Sequence, residues 1–261
     1  MNFSLIITTY NSPNALLLVL KSIEFQLILP NEVIIADDGS LPLTSKVIND
    51  FKKKSPLNIL HSWHEDRGFR VAKSRNKAIA KSNFEYIILI DGDTILHPSF
   101  SKDHLKNSEP GFFIQGKRVL LTKNKTKKTL KSHNLNFSFF SSGLKNRINS
   151  FHSNALSNIF SVKNNHLRGI KTCNMSFFKQ DFLDVNGFNN EFEGWGREDS
   201  EFIVRLMNKG ANRKTLRFNA VQYHLWHQHS DVVSLPQNER LLLNAIEQKL
   251  IWCDKGVNKI L

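Results

Sequence analysis

The sequence predicts an α/β domain built on a mixed, mainly parallel central sheet flanked by helices. Three observations carry this expectation. Phe3 to Thr9 and Glu32 to Ala36 are short β-branched runs of strand length, separated by a mostly apolar helical stretch from Ala15 to Phe25. A third run, Tyr86 to Ile90, is apolar throughout, as in strands covered on both faces. Each run stops at polar residues: Tyr10-Asn11-Ser12-Pro13, Asp37-Asp38-Gly39-Ser40 and Asp91-Gly92-Asp93. Strand, helix and strand with a polar switch at each strand end form a βαβ unit, hence parallel pairing. Ligands of such sheets bind at the carboxyl ends of the strands, so Thr8, Tyr10 and Asp38 are expected to face one crevice.

The remaining elements follow in order. Ser12 and Pro13 suit the first turn of a helix. Val47 to Lys54 reads as a helix, Leu57 to Leu60 as a short strand, and Trp63 to Arg70 as a loop. Val71 to Lys81 reads as a helix carrying Arg75 and Asn76. Lys123 to Lys131 reads as a basic loop. From Phe140 the apolar residues Leu144, Ile148, Phe151, Ala155 and Ile159 fall three or four apart, which predicts one amphipathic helix. Ser200 to Asn208 predicts a helix ended by Lys209-Gly210, and Asn238 to Cys253 another.

Length and composition bound the classes. A chain of 261 residues with 40% hydrophobic content allows one large α/β domain. No uninterrupted apolar run reaches the about 18 residues of a membrane-spanning helix. Met1-Asn2-Phe3 leads straight into a strand with no basic leader, and the two cysteines, Cys173 and Cys253, make no disulfide framework. These features together predict a cytoplasmic protein. The net charge of +13 is local. From Pro110 to Gln180 there is no acidic residue but 13 of the 36 Lys and Arg, so the rest of the chain is balanced. Such a patch faces phosphates, an anionic membrane or nucleic acid, unless it is a solvated surface. No aromatic-rich RNA-binding motif accompanies it, which sets nucleic acid aside.

Three stretches carry chemistry. Asp91 and Asp93 stand one residue apart at the end of a buried strand, a costly arrangement unless a cation neutralises them. Hard oxygen ligands suit Mg²⁺ or Mn²⁺ shared with substrate phosphates, and Gly92 lets the backbone pass closely; the plain alternative is a solvated acidic turn. His224 and His227 offer two imidazoles that favour Mn²⁺ over Mg²⁺, and a spacing of three allows both or one of them to bind. His229 reads as an ordinary histidine. In Glu193-Gly-Trp-Gly-Arg-Glu-Asp199 two glycines flank Trp195, giving a hinge and a stacking surface for a sugar, as in a mobile lid. Glu198 and Asp199 then open a helix, where acidic residues also suit the helix dipole and favour the ionised form.

The order of these signals resembles the family 2 inverting glycosyltransferases of GT-A fold. Ile-Thr-Thr-Tyr-Asn near the start, Ala-Asp-Asp-Gly-Ser, Gly-Phe-Arg followed by Ser-Arg-Asn, and Ile-Asp-Gly-Asp carry the first part. Cys173-Asn174-Met175-Ser176, Asn186-Gly187-Phe188 and Gly194-Trp195-Gly196-Arg197-Glu198-Asp199 look like the carboxyl-terminal part of β-1,4-galactosyltransferases and bacterial chondroitin-type polymerases. The resemblance covers roughly residues 3–100 and 168–230. It implies one GT-A domain over 1–261, with a nucleotide-sugar half (1–100), a basic, partly helical insertion (101–167) and an acceptor and catalytic half (168–261). It also implies roles. Thr8, Tyr10 and Asp38 match positions that hold uracil and ribose of a UDP-sugar, and Arg75 a basic residue near the nucleotide. Asp91 and Asp93 match the metal pair, with Asp93 the direct ligand, and His224 and His227 complete that site. Trp195 matches an aromatic over donor and acceptor, and Asp199 the catalytic base with Glu198 beside it. Relatives often carry Gly where this chain has Arg197.

The expected function is thus metal-dependent, inverting transfer of a hexose or N-acetylhexosamine from a UDP-sugar to a lipid-linked or capsular surface glycan, with peripheral contact to an anionic membrane. A catalytically inactive glycan-binding relative is the milder alternative. The intact Asp91, Asp93 and Asp199 argue against it.

Overall fold

The computed structural model describes residues 1–228 and 232–260. The chain opens with β1 (Phe3–Thr9), α1 (Pro13–Glu24), β2 (Glu32–Asp37), α2 (Pro42–Lys52), β3 (Ile59–Trp63), α3 (Val71–Ala80) and β4 (Tyr86–Asp91). These strands pair in parallel, with β1 between β2 and β4 and with β3 outside β2. Next come β5 (Thr94–Leu96), α4 (Phe100–Asn107), β6 (Phe112–Gln115), β7 (Val119–Leu121), α5 (Lys123–Ser132) and β8 (Leu144–Lys145). The chain continues through α6 (Asn154–Phe160), β9 (Val162–Asn164), β10 (Asn174–Phe178), α7 (Lys179–Asp184), α8 (Glu198–Asn208), β11 (Asn212–Thr215), β12 (Gln222–His224) and α9 (Leu235–Glu247).

The main sheet runs β3-β2-β1-β4-β10-β6-β11-β9. Strand β10 is antiparallel to both β4 and β6, so the sheet is mixed. A smaller sheet, β5-β12-β7-β8, stands beside it. The period-2 alternation of β1 explains how both faces are covered. Phe3, Leu5 and Ile7 pack with Leu16, Val19, Leu20 and Ile23 of α1. Ile6 turns to the other face, with Ile34, Ala72 and Ile79 and with Phe202, Ile203 and Leu206 of α8. Each such aliphatic or aromatic side chain contributes about 1.5–3 kcal/mol when fully buried.

Two expectations are corrected. Lys123 to Lys131 is the helix α5, not a loop. Lysine is a good helix former, Thr122 caps the first turn by accepting from the Lys125 amide, and Thr126 and Thr129 give the helix a buried side. The stripe from Leu144 to Ile159 is not one helix. Leu144 lies in β8, Ile148 in a single 3-10 turn, and Ala155 and Ile159 in α6. Asn146 takes a left-handed φ of 54°, and Ile159 is left 72% exposed, so the helical spacing was not a buried face. No helix among the described residues is long and apolar enough to cross a membrane.

Candidate active site

The carboxyl ends of β1, β2 and β4 form one edge, and the smaller sheet brings two histidines to it. Strand β12 pairs antiparallel with β5, setting His224 opposite Thr94, while the Leu225 amide donates to the Asp93 carbonyl at 2.9 Å. This register carries His224 Nε2 to 3.6 Å from Asp93 Oδ1 and His227 Nε2 to 3.4 Å from Asp93 Oδ2. Ligand atoms of the three residues all lie within 4.8 Å of one another. Both Nδ1 atoms face backbone carbonyls, His224 at 2.8 Å from Leu225 O and His227 at 2.7 Å from Gln228 O. A carbonyl only accepts, so the proton sits on Nδ1 and the Nε2 lone pair is free in the neutral ring. Asp93 Oδ1 is buried and has no hydrogen-bond partner. An orphaned carboxylate oxygen beside two available imidazole nitrogens fits a divalent cation, and nitrogen donors favour Mn²⁺. His229 lies outside the described residues.

Asp91 stays outside that trio. Its Oδ1 is 3.7 Å from Arg75 Nη2. Burial pushes its carboxyl above the usual range, with Arg75 opposing and Asp93 reinforcing. The Gly92 amide donates to Thr8 O at 2.7 Å, and a Cβ there would lie 3.0 Å from that oxygen and from Thr9. Arg75 is buried and donates to Thr8 Oγ1 at 3.2 Å and to Glu198 Oε1 at 3.0 Å. One guanidinium thus links β1, β4 and the start of α8.

In the nucleotide half, Asp38 is buried and both its oxygens are engaged. His64 Nε2 lies 2.7 Å from Oδ1, and the Arg70 amide donates to Oδ2 at 2.7 Å. Asp37 is paired with His61 Nε2 at 2.8 Å and the Ser40 amide at 2.8 Å. Burial raises its carboxyl, but those hydrogen bonds outweigh it and hold the group below the ordinary range. Tyr10 is exposed and donates its hydroxyl to Asp66 Oδ2 at 2.8 Å, a bond that raises the phenol. His61, His64 and Asp66 were not singled out from the sequence. Their partners lie 24 to 56 residues away, and no local pattern marks them.

The 193–199 loop is pinned at its start. The Gly194 amide donates to Phe69 O at 2.9 Å, and Asn238 Nδ2 to Glu193 O at 3.1 Å. Gly194, Gly196 and Arg197 take positive φ of 73°, 104° and 77°, a conformation glycine enters without strain and arginine does not. Glu239 holds Arg197 in an ion pair. Trp195 stays 45% exposed at the loop tip. Glu198 is buried, with its Oε1 held by Arg75 Nη1 at 3.0 Å. Asp199 accepts from the Ser200 amide at 2.7 Å. Burial, reinforced by Glu198, pushes its carboxyl up to about 7. Here desolvation overrides the helix-start preference for the ionised form.

A family model described as glycosyl transferase family 2 matches residues 4–174, well over half the chain. The chain belongs to this family. A second model, described as the N-terminal domain of galactosyltransferase, matches residues 155–229, which include Trp195, Asp199 and both metal-side histidines. Hyaluronan synthase of Pasteurella multocida is 28% identical over 233 residues, 82% of this chain and 23% of that protein. Chondroitin synthase of Escherichia coli is 25% identical over 242 residues, 85% of this chain and 34% of that protein. The chain therefore spans only a quarter to a third of the length of these two relatives. The crystal structure of S. aureus TarS 1-349 superposes with a TM-score of 0.65 at 17% identity, covering 99% of this chain and 68% of that one. The same protein in complex with UDP-GlcNAc gives 0.64 at 17% identity, with 99% and 69% covered. The shared fold is GT-A.

Proposed function

We propose that this chain transfers a hexose or N-acetylhexosamine from a UDP-sugar to a bacterial surface glycan such as lipopolysaccharide or capsule, with inversion. The observation that supports it most is the Asp93–His224–His227 cluster beside the strand ends, with its orphaned oxygen and two free Nε2 atoms. Relatives named for hyaluronan and chondroitin synthesis, and the TarS complex with UDP-GlcNAc, agree with a UDP-sugar donor and a glycan acceptor. Asp93, His224 and His227 would hold Mn²⁺ (or Mg²⁺), which neutralises charge developing on the leaving diphosphate.

This chain's own groups do the rest. Thr8, Tyr10, Asp38 and Arg75 bind and orient the nucleotide, with Asp91 fixing the guanidinium. Trp195 covers the sugar and excludes water. The acceptor oxygen attacks the anomeric carbon as the bond from that carbon to the diphosphate oxygen breaks, and Asp199 takes the acceptor's proton. A carboxyl held near 7 is well matched to that task. Glu198 keeps Arg75 in place. Calorimetry with UDP tests the reading. Binding should strengthen with Mn²⁺ and fail to do so in Asp93→Ala; equal UDP binding in the presence of a chelator would remove the metal from the scheme.

A further inference from the structure

Helix α5 carries Lys123, Lys125, Lys127, Lys128 and Lys131 and no acidic residue. Lys123, Lys127 and Lys131 form a row at intervals of four, where like charges destabilise a helix. Among the described residues none of the five is in an ion pair. Such a row is locally unfavourable, and an anion lying along it would relieve the repulsion.

The helix is docked onto the candidate metal site. Trp226, which lies between His224 and His227 in the chain, donates its amide to Thr126 Oγ1 at 2.8 Å. Lys123 Nζ lies 4.8 Å from the Trp226 ring centroid. An open groove of about 550 Å³ runs beside α5, lined by Lys125, Lys128, Lys131, Asn134 and Phe137 among others. Phe137 stacks at a tilt on Tyr223, ring centroids 4.6 Å apart, and Tyr223 is the neighbour of His224. Helix α5 itself therefore touches the segment that carries both histidines, through Thr126 and Lys123. From Lys123 to Lys131 the helix gives a basic track about 12 Å long.

We infer that this groove holds the acceptor, and that the acceptor is an anionic glycan charged through carboxylate or phosphate groups. The inference rests on the transferase reading above. The concave shape, Phe137 in its lining and the contact of α5 with Trp226 favour a glycan chain lying in the groove. The residues that line the groove, like the whole stretch from Pro110 to Gln180, contribute no acidic side chain to it.

The test uses the full chain and a variant carrying Lys127→Gln, Lys128→Gln and Lys131→Gln. All three side chains are exposed, so the fold should persist, which an unchanged urea midpoint would verify. Fluorescence anisotropy measures labelled chondroitin hexasaccharide, a ribitol-phosphate hexamer and a neutral dextran oligomer. Phosphatidylglycerol vesicles are scored by co-sedimentation. At least one anionic oligomer should bind the parent and dextran should not; the two anionic arms separate carboxylate from phosphate. The variant should bind about tenfold more weakly at low salt, with the difference fading as salt shortens the screening length to about 3 Å at 1 M. Equal binding of dextran, an unchanged affinity in the variant, or binding to vesicles alone would overturn the inference. UDP calorimetry on the parent separates the two readings: no UDP binding refutes the transferase proposal, while the oligomer result still decides the groove.

Discussion

Asp199→Asn probes the site most directly, because it should raise stability while removing activity. The substitution is nearly isosteric with the protonated acid. In the folded chain burial and Glu198 raise the Asp199 carboxyl from 3.8 to about 7. A folded-state value above the unfolded one means that the native state binds the proton more tightly. The stabilisation is complete below about pH 4 and is lost as pH rises through about 7. A shift of about three units corresponds to an upper limit of about 4 kcal/mol, and partial solvent access of the side chain reduces it to about 2 kcal/mol. The Asn variant never bears this cost. Urea denaturation should show it close to the parent near pH 4 and about 2 kcal/mol more stable near pH 8. Transfer should fall by about 10² to 10⁴, while UDP binding with Mn²⁺ is retained. The parent's rate should rise with pH through about 7 as the base ionises. An Asn variant no more stable at pH 8, or one that still transfers at the parent rate, would refute the reasoning.

Two further outcomes follow from contacts described above. Glu198→Ala should destabilise the fold by about 2 kcal/mol in urea denaturation, less than a fully buried pair because Arg75 keeps Thr8 and Asp91; an unchanged midpoint would show that the Glu198–Arg75 pair holds nothing together. Gly116→Ala should also destabilise, by at least about 2 kcal/mol. Its Cβ would fall 2.2 Å from Asn174 Oδ1, and Asn174 Nδ2 bonds Lys117 O at 2.7 Å and Ala220 O at 2.9 Å. A wild-type thermal midpoint would mean that Asn174 can move freely.

The βαβ half was legible because its strands are apolar runs with sharp polar ends, and parallel sheets read that way. Asp93, His224 and His227, which the structure brings together, stand out in the sequence because a carboxylate at a strand end and paired imidazoles need an explanation; Asp91 stood out for the same reason but faces Arg75. Helix α5 was not legible, since its buried side is threonine and Leu130 rather than an apolar stripe. The stripe from Leu144 to Ile159 misled for the converse reason: spacing alone does not say that a face is covered. The pairing of Asp38 with His64, and of Glu198 with Arg75 across 123 residues, is set by tertiary geometry that no window of sequence contains.

The placement of β10 has a consequence for synthesis on the ribosome. Tyr86 to Asp91 takes β1 on one side and Asn174 to Phe178 on the other. Until that later segment emerges, the second edge of a highly apolar strand has no native neighbour. Such an edge is a template for pairing with another nascent chain. The growing polypeptide must therefore pass through more than eighty residues of exposure, including the lysine-rich insertion, before the sheet can close. The positive charge of that insertion would keep neighbouring unfinished chains apart during the interval.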